Sequence, residues 1–174
     1  GVQTCALPIS GMYVRVDVRG EILVRSPSLM RGYYGDPTAT ANALVDGWLR
    51  TGDKGYCDEQ GFLYVTGRLK EAIVTASGVT VCPEEFEVHY QDPLFAELCV
   101  IPAPGPHGND IPELIVVPAS EASAHDIEST FRRLRADAPS HCRIERIQTV
   151  DQPLPRTPTG KIRRRELAAR LYEV

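Results

Sequence analysis

The chain has 174 residues, 43% hydrophobic and 24% charged, with 14 glycines, 14 prolines and a net charge of -4. These values exclude a disordered or collagen-like chain, and no apolar run approaches the roughly 18 to 20 residues that cross a bilayer. The length predicts one domain or two small ones. The lack of a secretory pattern predicts a cytoplasmic protein, and five cysteines without a CxxC pair predict reduced, mostly buried thiols rather than disulfides or a zinc site.

Residues 1–9 show no periodicity, and one reading frame of a common sequencing-library adapter translates to them. We read them as an artefactual leader, with a natural loop or a short strand as the alternative. Tyr13 to Val18 alternate apolar and charged residues, Arg19-Gly20 turns, and Glu21-Ile22-Leu23-Val24-Arg25 returns, which predicts a half-exposed hairpin. Asp36-Pro37 offers an N-cap followed by proline at the first helical position, predicting a short helix over 37–44. Asp46-Gly47 turns the chain, and 48–50 and 61–66 read as two more short strands.

Beyond Arg68 strands alternate with helices. Strands are predicted over 72–75, 97–101, 113–117 and 144–150, and helices over 83–90, 125–136 and 163–171. Charge is polarised along this half: residues 70–129 carry Lys70 against eleven acids, and residues 130–174 carry eleven Arg or Lys against five acids. A basic tail of this kind suits nucleic acid, anionic lipid, a phosphate-bearing small molecule or a solvated helix face.

Three motifs carry chemistry. In Thr51-Gly52-Asp53 a glycine between short polar residues predicts a tight turn presenting a carboxylate at a strand end. An ionised carboxylate accepts two hydroxyl hydrogen bonds at once, which suits a ribose diol. Gly67-Arg68-Leu69-Lys70-Glu71 sets a cation beside a glycine where the texture changes, marking a boundary that can bend and a charge that can meet phosphate. In Pro155-Arg156-Thr157-Pro158-Thr159-Gly160-Lys161-Ile162-Arg163-Arg164-Arg165, two prolines and a glycine predict an extended loop that projects Lys161 just before a helix. It is not a Walker A loop, because Ile162 follows the lysine where that motif needs Ser or Thr. Alone, each motif also fits a plain turn, a solvated ion pair or a solvated helix start.

With Gly20-Glu21-Ile22-Leu23-Val24 and Gly32-Tyr33-Tyr34-Gly35-Asp36-Pro37, the order and spacing of these motifs resemble the adenylate-forming (AMP-binding) superfamily of acyl-CoA synthetases, luciferases and peptide-synthetase adenylation domains. The resemblance runs from about Met12 to Leu171, and the segment from Tyr64 to Glu71 is similar to the acyl-CoA synthetase form. It implies an α+β fold. Residues 10–69 would be the C-terminal end of the large N-terminal region, made of short strands of its β-barrel subdomain. A hinge would join them to residues 70–174, a small, mobile α/β C-terminal domain of the AMP-binding enzyme type.

The resemblance also implies roles. Asp53 would bind both ribose hydroxyls of ATP and of the adenylate, Arg68 would contact the nucleotide near ribose and phosphate, and Lys70 would be the hinge. Lys161 would be the catalytic lysine of adenylation, and Gly78 would line the thiol tunnel. Val79-Thr80 departs from the arginine or lysine of many relatives, which puts a further phosphate contact in doubt. The family's phosphate loop, acyl pocket and main Mg2+ ligands belong upstream of Gly11, so no metal ligand is expected here and the chain alone is expected to be inactive. The parent would be an ATP-dependent acid–thiol ligase. It would turn a carboxylic acid, with a fatty acid favoured, and MgATP into an acyl-adenylate, which coenzyme A then captures as a thioester. Two alternatives stay open: loading of a carrier-protein phosphopantetheine, and a non-catalytic binding module with a basic tail. No nucleic-acid partner is expected, and peripheral membrane contact is left open.

Overall fold

The computed structural model describes residues 4–74, 80–105 and 108–172. Its first element lies where the sequence shows no periodicity. Thr4–Ala6, inside the stretch read as a leader, form the strand β1, which pairs antiparallel with Leu63, Tyr64 and Val65. Strand addition uses main-chain donors and acceptors, so three residues can extend a sheet edge without any side-chain period.

The hairpin follows as predicted, with β2 (Tyr13–Val16) antiparallel to β3 (Glu21–Arg25). Asp36 caps α1 (Pro37–Ala43): its carboxylate accepts the Ala39 N–H at 2.8 Å, and Pro37 takes the position where a missing N–H costs nothing. β4 (Leu44–Val45) turns through Asp46 and Gly47 into β5 (Trp48–Cys57), and β6 (Leu63–Arg68) runs back beside it. The order is β1-β6-β5-β3-β2, antiparallel at each pairing, with β4 also on β5. Among the described residues β1 and β2 do not meet, so these strands make an open sheet and not a closed barrel.

The chain divides into two compact units between Lys70 and Glu71. In the second, β7 (Ile73–Val74) pairs with β8 (Thr80–Val81), and α2 (Pro83–Glu87) follows. β9 (Phe95–Pro104) and β10 (Asp110–Pro118) are antiparallel. α3 (Ala124–Asp137) then carries the chain over to β11 (Arg146–Thr149), which is parallel to β10. Such a parallel return needs a crossover of this length. α4 (Arg164–Tyr172) closes the unit.

Alternation sorts the central strands onto two faces. Val100, Leu114 and Val116 belong to one cluster with Phe86, Tyr90, Ile127, Phe131, Leu134 and Ile144. Cys99, Ile101 and Ile115 belong to another, with Leu154 and Leu167. Because both faces are covered, β9 and β10 read as continuous apolar runs. Each fully buried aliphatic or phenyl side chain contributes about 1.5–3 kcal/mol. Tyr90 is fully buried yet satisfied, since its hydroxyl accepts the Ile144 N–H at 2.8 Å and donates to the Cys142 carbonyl at 3.3 Å. The fold is α+β with strands predominating.

Candidate functional site

The Thr51-Gly52-Asp53 triplet lies inside β5, not at its end. From Glu21 to Leu23 on β3, the partners on β5 run from Lys54 to Arg50, so the triplet is taken up in a bulge. Gly52 stands at φ +70°, a conformation that costs an L-residue roughly 1–2 kcal/mol. The nearly buried Glu21 carboxylate holds the bulge. Its Oε1 accepts the Gly52 N–H at 3.1 Å, and its Oε2 takes Arg50 Nε at 3.0 Å and Nη2 at 2.7 Å. The Thr51 hydroxyl donates to the Ile22 carbonyl at 2.7 Å and accepts the Asp53 N–H at 3.0 Å.

This scaffold turns Asp53 toward its register partner on β6. Arg68 Nε lies 2.8 Å from Asp53 Oδ1, and the two side chains are 54% and 29% exposed. Two residues singled out separately in the sequence are thus one solvent-reachable cation–carboxylate pair. The arrangement can accept hydroxyl hydrogens at the carboxylate and offer a guanidinium to an anion a few ångströms away. Lys70 is exposed in a 3-10 turn, Leu69–Glu71, that follows β6 directly.

The lysine motif is a turn and not an extended loop. Gly160 N–H donates to the Thr157 carbonyl at 2.9 Å and Thr157 N–H to the Lys161 carbonyl at 2.8 Å, with Arg156 bridged to Ile162 across the stem. Pro158 occupies the second turn position, which its fixed φ favours, and Gly160 at φ +83° supplies the left-handed residue that closes the turn. Lys161 N–H reaches back to the Thr157 hydroxyl at 3.1 Å. The Lys161 side chain is exposed and makes no hydrogen bond or ion pair with the described residues.

Sequence reasoning missed what anchors this turn. On one stem, Arg156 Nη2 binds Glu97 Oε2 at 2.7 Å and Nη1 donates to the Gly160 carbonyl at 2.8 Å. On the other, Arg164 opens α4 with a side chain only 13% exposed. Its Nη1 lies 2.7 Å from Glu71 Oε2 and 3.0 Å from Glu84 Oε1, and its Nη2 lies 3.0 Å from both oxygens of Glu87. Glu87 Oε1 also accepts the Val100 N–H of β9 at 2.8 Å. Burial pushes the Glu84 carboxyl above the usual glutamate range, against the pull of Arg164. Nearby, burial pushes the Cys99 thiol up to about 12.

One available signal was spacing. Arg164 shares a helical face with Leu167 and Leu171, three and seven residues on, whereas Arg165 does not. The charge polarity resolves in the same way. Arg133 pairs with Asp92, Arg146 with Glu113, Arg156 with Glu97 and Arg164 with Glu71, Glu84 and Glu87, so the basic tail neutralises acids of its own unit. Gly78 lies outside the described residues.

No family model matches the chain. It is 34% identical over 160 residues, 91% of the chain, to the 4-coumarate–CoA ligase-like 6 of Arabidopsis thaliana, covering 28% of that protein. It is 36% identical over 175 residues, 99% of the chain, to the fatty acid–[acyl-carrier-protein] ligase ScoC of Streptomyces coeruleorubidus, covering 33% of that protein. Among solved structures, the anthranilate CoA ligase AuaEII in complex with anthranoyl-AMP matches 94% of the chain and 34% of its own, with a TM-score of 0.81 and 26% identity. The chain belongs to the adenylate-forming superfamily. It spans about a third of the length of these relatives. In this member of the adenylate-forming enzymes, the described residues hold no cluster of His, Cys, Asp or Glu fit for a metal. No helix among them is long and apolar enough to cross a membrane.

Proposed function

We propose that this chain is the C-terminal part of an AMP-forming acid–thiol ligase, an acyl-CoA synthetase that activates a carboxylic acid as its adenylate and passes the acyl group to coenzyme A. The observation that carries the proposal is the Asp53–Arg68 pair, a carboxylate and a guanidinium held side by side by a bulge and a strand register. In this reading Asp53 accepts the ribose hydroxyls and Arg68 meets the nucleotide between ribose and phosphate. Exchange of the ion pair for nucleotide contacts conserves charge complementarity at both groups.

Lys161 is the proposed catalytic residue of the first step. A carboxylate and a phosphate must approach closely for attack on phosphorus, and a positioned ammonium offsets the repulsion as charge develops. Its turn presents the group without a competing partner among the described residues. Lys70 is the proposed pivot, and Gly78 the proposed lining of the thiol tunnel. Mg2+ would be held mainly by residues outside this chain, so these 174 residues alone should not turn over.

A fatty acid is the proposed substrate class, supported by relatives named for fatty acids, ScoC and the long-chain-fatty-acid–CoA ligase of Bacillus subtilis. Loading of a carrier-protein thiol is a second reading, favoured by the 36% identity to ScoC across nearly the whole chain. Assays with both thiols separate the two.

The decisive experiment uses the ligase that bears this chain. Lys161→Ala should slow ATP–pyrophosphate exchange by about 100- to 1,000-fold and leave thioester formation from supplied acyl-adenylate near normal. Equal losses in both half-reactions would remove Lys161 from the proposed role.

A further inference from the structure

A lysine on a four-carbon stem is placed only as accurately as the backbone that carries it. The turn from Thr157 to Lys161 is closed by its own hydrogen bonds, which fix its shape but not its place in the unit. Its place depends on the two stems. The Arg156 stem is tied by a side chain 45% exposed to water, whereas the Arg164 stem is tied by one only 13% exposed. Arg164 clasps Glu87 with Nη2, and Glu87 in turn holds the Val100 N–H in the central strand. Its Nη1 reaches Glu71, the residue bonded to Lys70.

We propose that Arg164 is a positioning residue: it registers the Lys161 turn against β9 and against the residue that follows the pivot, so that turn, strand and boundary move as one body. This rests on the role given above to Lys161. The donor fork is essential to the idea. Three carboxylates surround one guanidinium, and serving all of them while gripping Glu87 twice needs several donors in a fixed plane. An ammonium keeps the charge but cannot reproduce that fork.

Amide hydrogen exchange on the 174-residue chain tests the idea without any catalysis. Arg164→Lys should speed exchange at Thr157, Gly160, Lys161 and Arg163 by about tenfold, while Leu114 and Val116 in β10 keep their protection. Arg163→Lys, next door and paired among the described residues with Glu166, should change none of them. Wild-type protection of the turn in Arg164→Lys, or equal loosening in Arg163→Lys, would overturn the proposal. Should Arg164→Lys lose the strand protection itself, Glu71→Gln decides the matter. Glu71 is 37% exposed and its loss leaves the grip on Glu87, so the turn should loosen to a lesser degree, and an unchanged turn overturns the proposal.

In the ligase that bears this chain, Arg164→Lys should lower kcat for adenylation about tenfold, with KM for ATP and the thioester step from supplied acyl-adenylate unchanged. The two readings fail separately. A fully active Lys161→Ala enzyme would sink the catalytic role while the exchange result stood. A wild-type kcat in Arg164→Lys, with Lys161→Ala impaired, would sink the positioning role alone.

Discussion

At the scale of single residues, most of what matters is geometry that a side chain cannot supply. Gly160 closes the lysine turn at φ +83°, where a β-carbon is strained but meets no neighbour. Gly160→Ala should therefore cost about 1 kcal/mol in urea denaturation, through backbone strain and not packing. An unchanged midpoint would show that the turn relaxes freely. Glu84 supplies a pH signature. Burial raises its carboxyl, so the folded chain holds that proton more tightly than the unfolded one. Stability from this group should then fall as pH rises from the ordinary glutamate range through the raised value, with the whole cost present above it. Glu84→Gln should flatten that slope in denaturation midpoints measured across the window. An identical slope would mean that Arg164 already offsets the burial.

Secondary-structure elements show which patterns the sequence displays openly. α3 was expected over 125–136 and spans Ala124–Asp137, because Ile127, Phe131 and Leu134 mark one face at helical spacing. Its start is fixed by a reciprocal pair: the Ser123 hydroxyl accepts the Asp126 N–H at 3.2 Å and the Asp126 carboxylate accepts the Ser123 N–H at 3.0 Å. Ser123→Ala should destabilise the chain by about 1 kcal/mol, read as a lowered thermal midpoint, and a neutral result would mean that water replaces the cap. The hairpin of β2 and β3 and the capped α1 were equally plain, since alternation and an Asp-Pro start are local codes. β5 was harder. The sequence suggested a short strand and then a turn, whereas the strand continues to Cys57 because Gly52 absorbs the turn as a bulge stapled by Glu21 and Thr51. A glycine between polar residues is consistent with either outcome, and the choice is made by a buried acid thirty or so positions earlier. The burial of Arg164 was hidden for a similar reason. Three consecutive arginines read as a solvated run until the helix turns one of them inward.

For the molecule as a whole, a boundary between Lys70 and Glu71 separates the strand that carries Arg68 from the unit that carries Lys161. If that boundary is the pivot of the proposed ligase, Lys70→Pro in the enzyme bearing this chain should restrict it. Thioester formation should then fall by about an order of magnitude or more, and adenylation much less, because only the former needs the second orientation. Intact thioester formation would move the pivot elsewhere. The division of charge between residues 70–129 and 130–174 also has its meaning at this scale. It is cohesion within one unit: Arg133, Arg146, Arg156 and Arg164 each reach back to acids of the earlier segment.

The three residues of β1 have a practical bearing out of proportion to their length. They occupy the outer rim of β6, at Leu63, Tyr64 and Val65. Clipping the polypeptide at Ser10 would uncover that rim and leave its amides and carbonyls available to any neighbouring molecule. Such a preparation would be prone to self-association by sheet extension at high concentration, even with every proposed catalytic group intact.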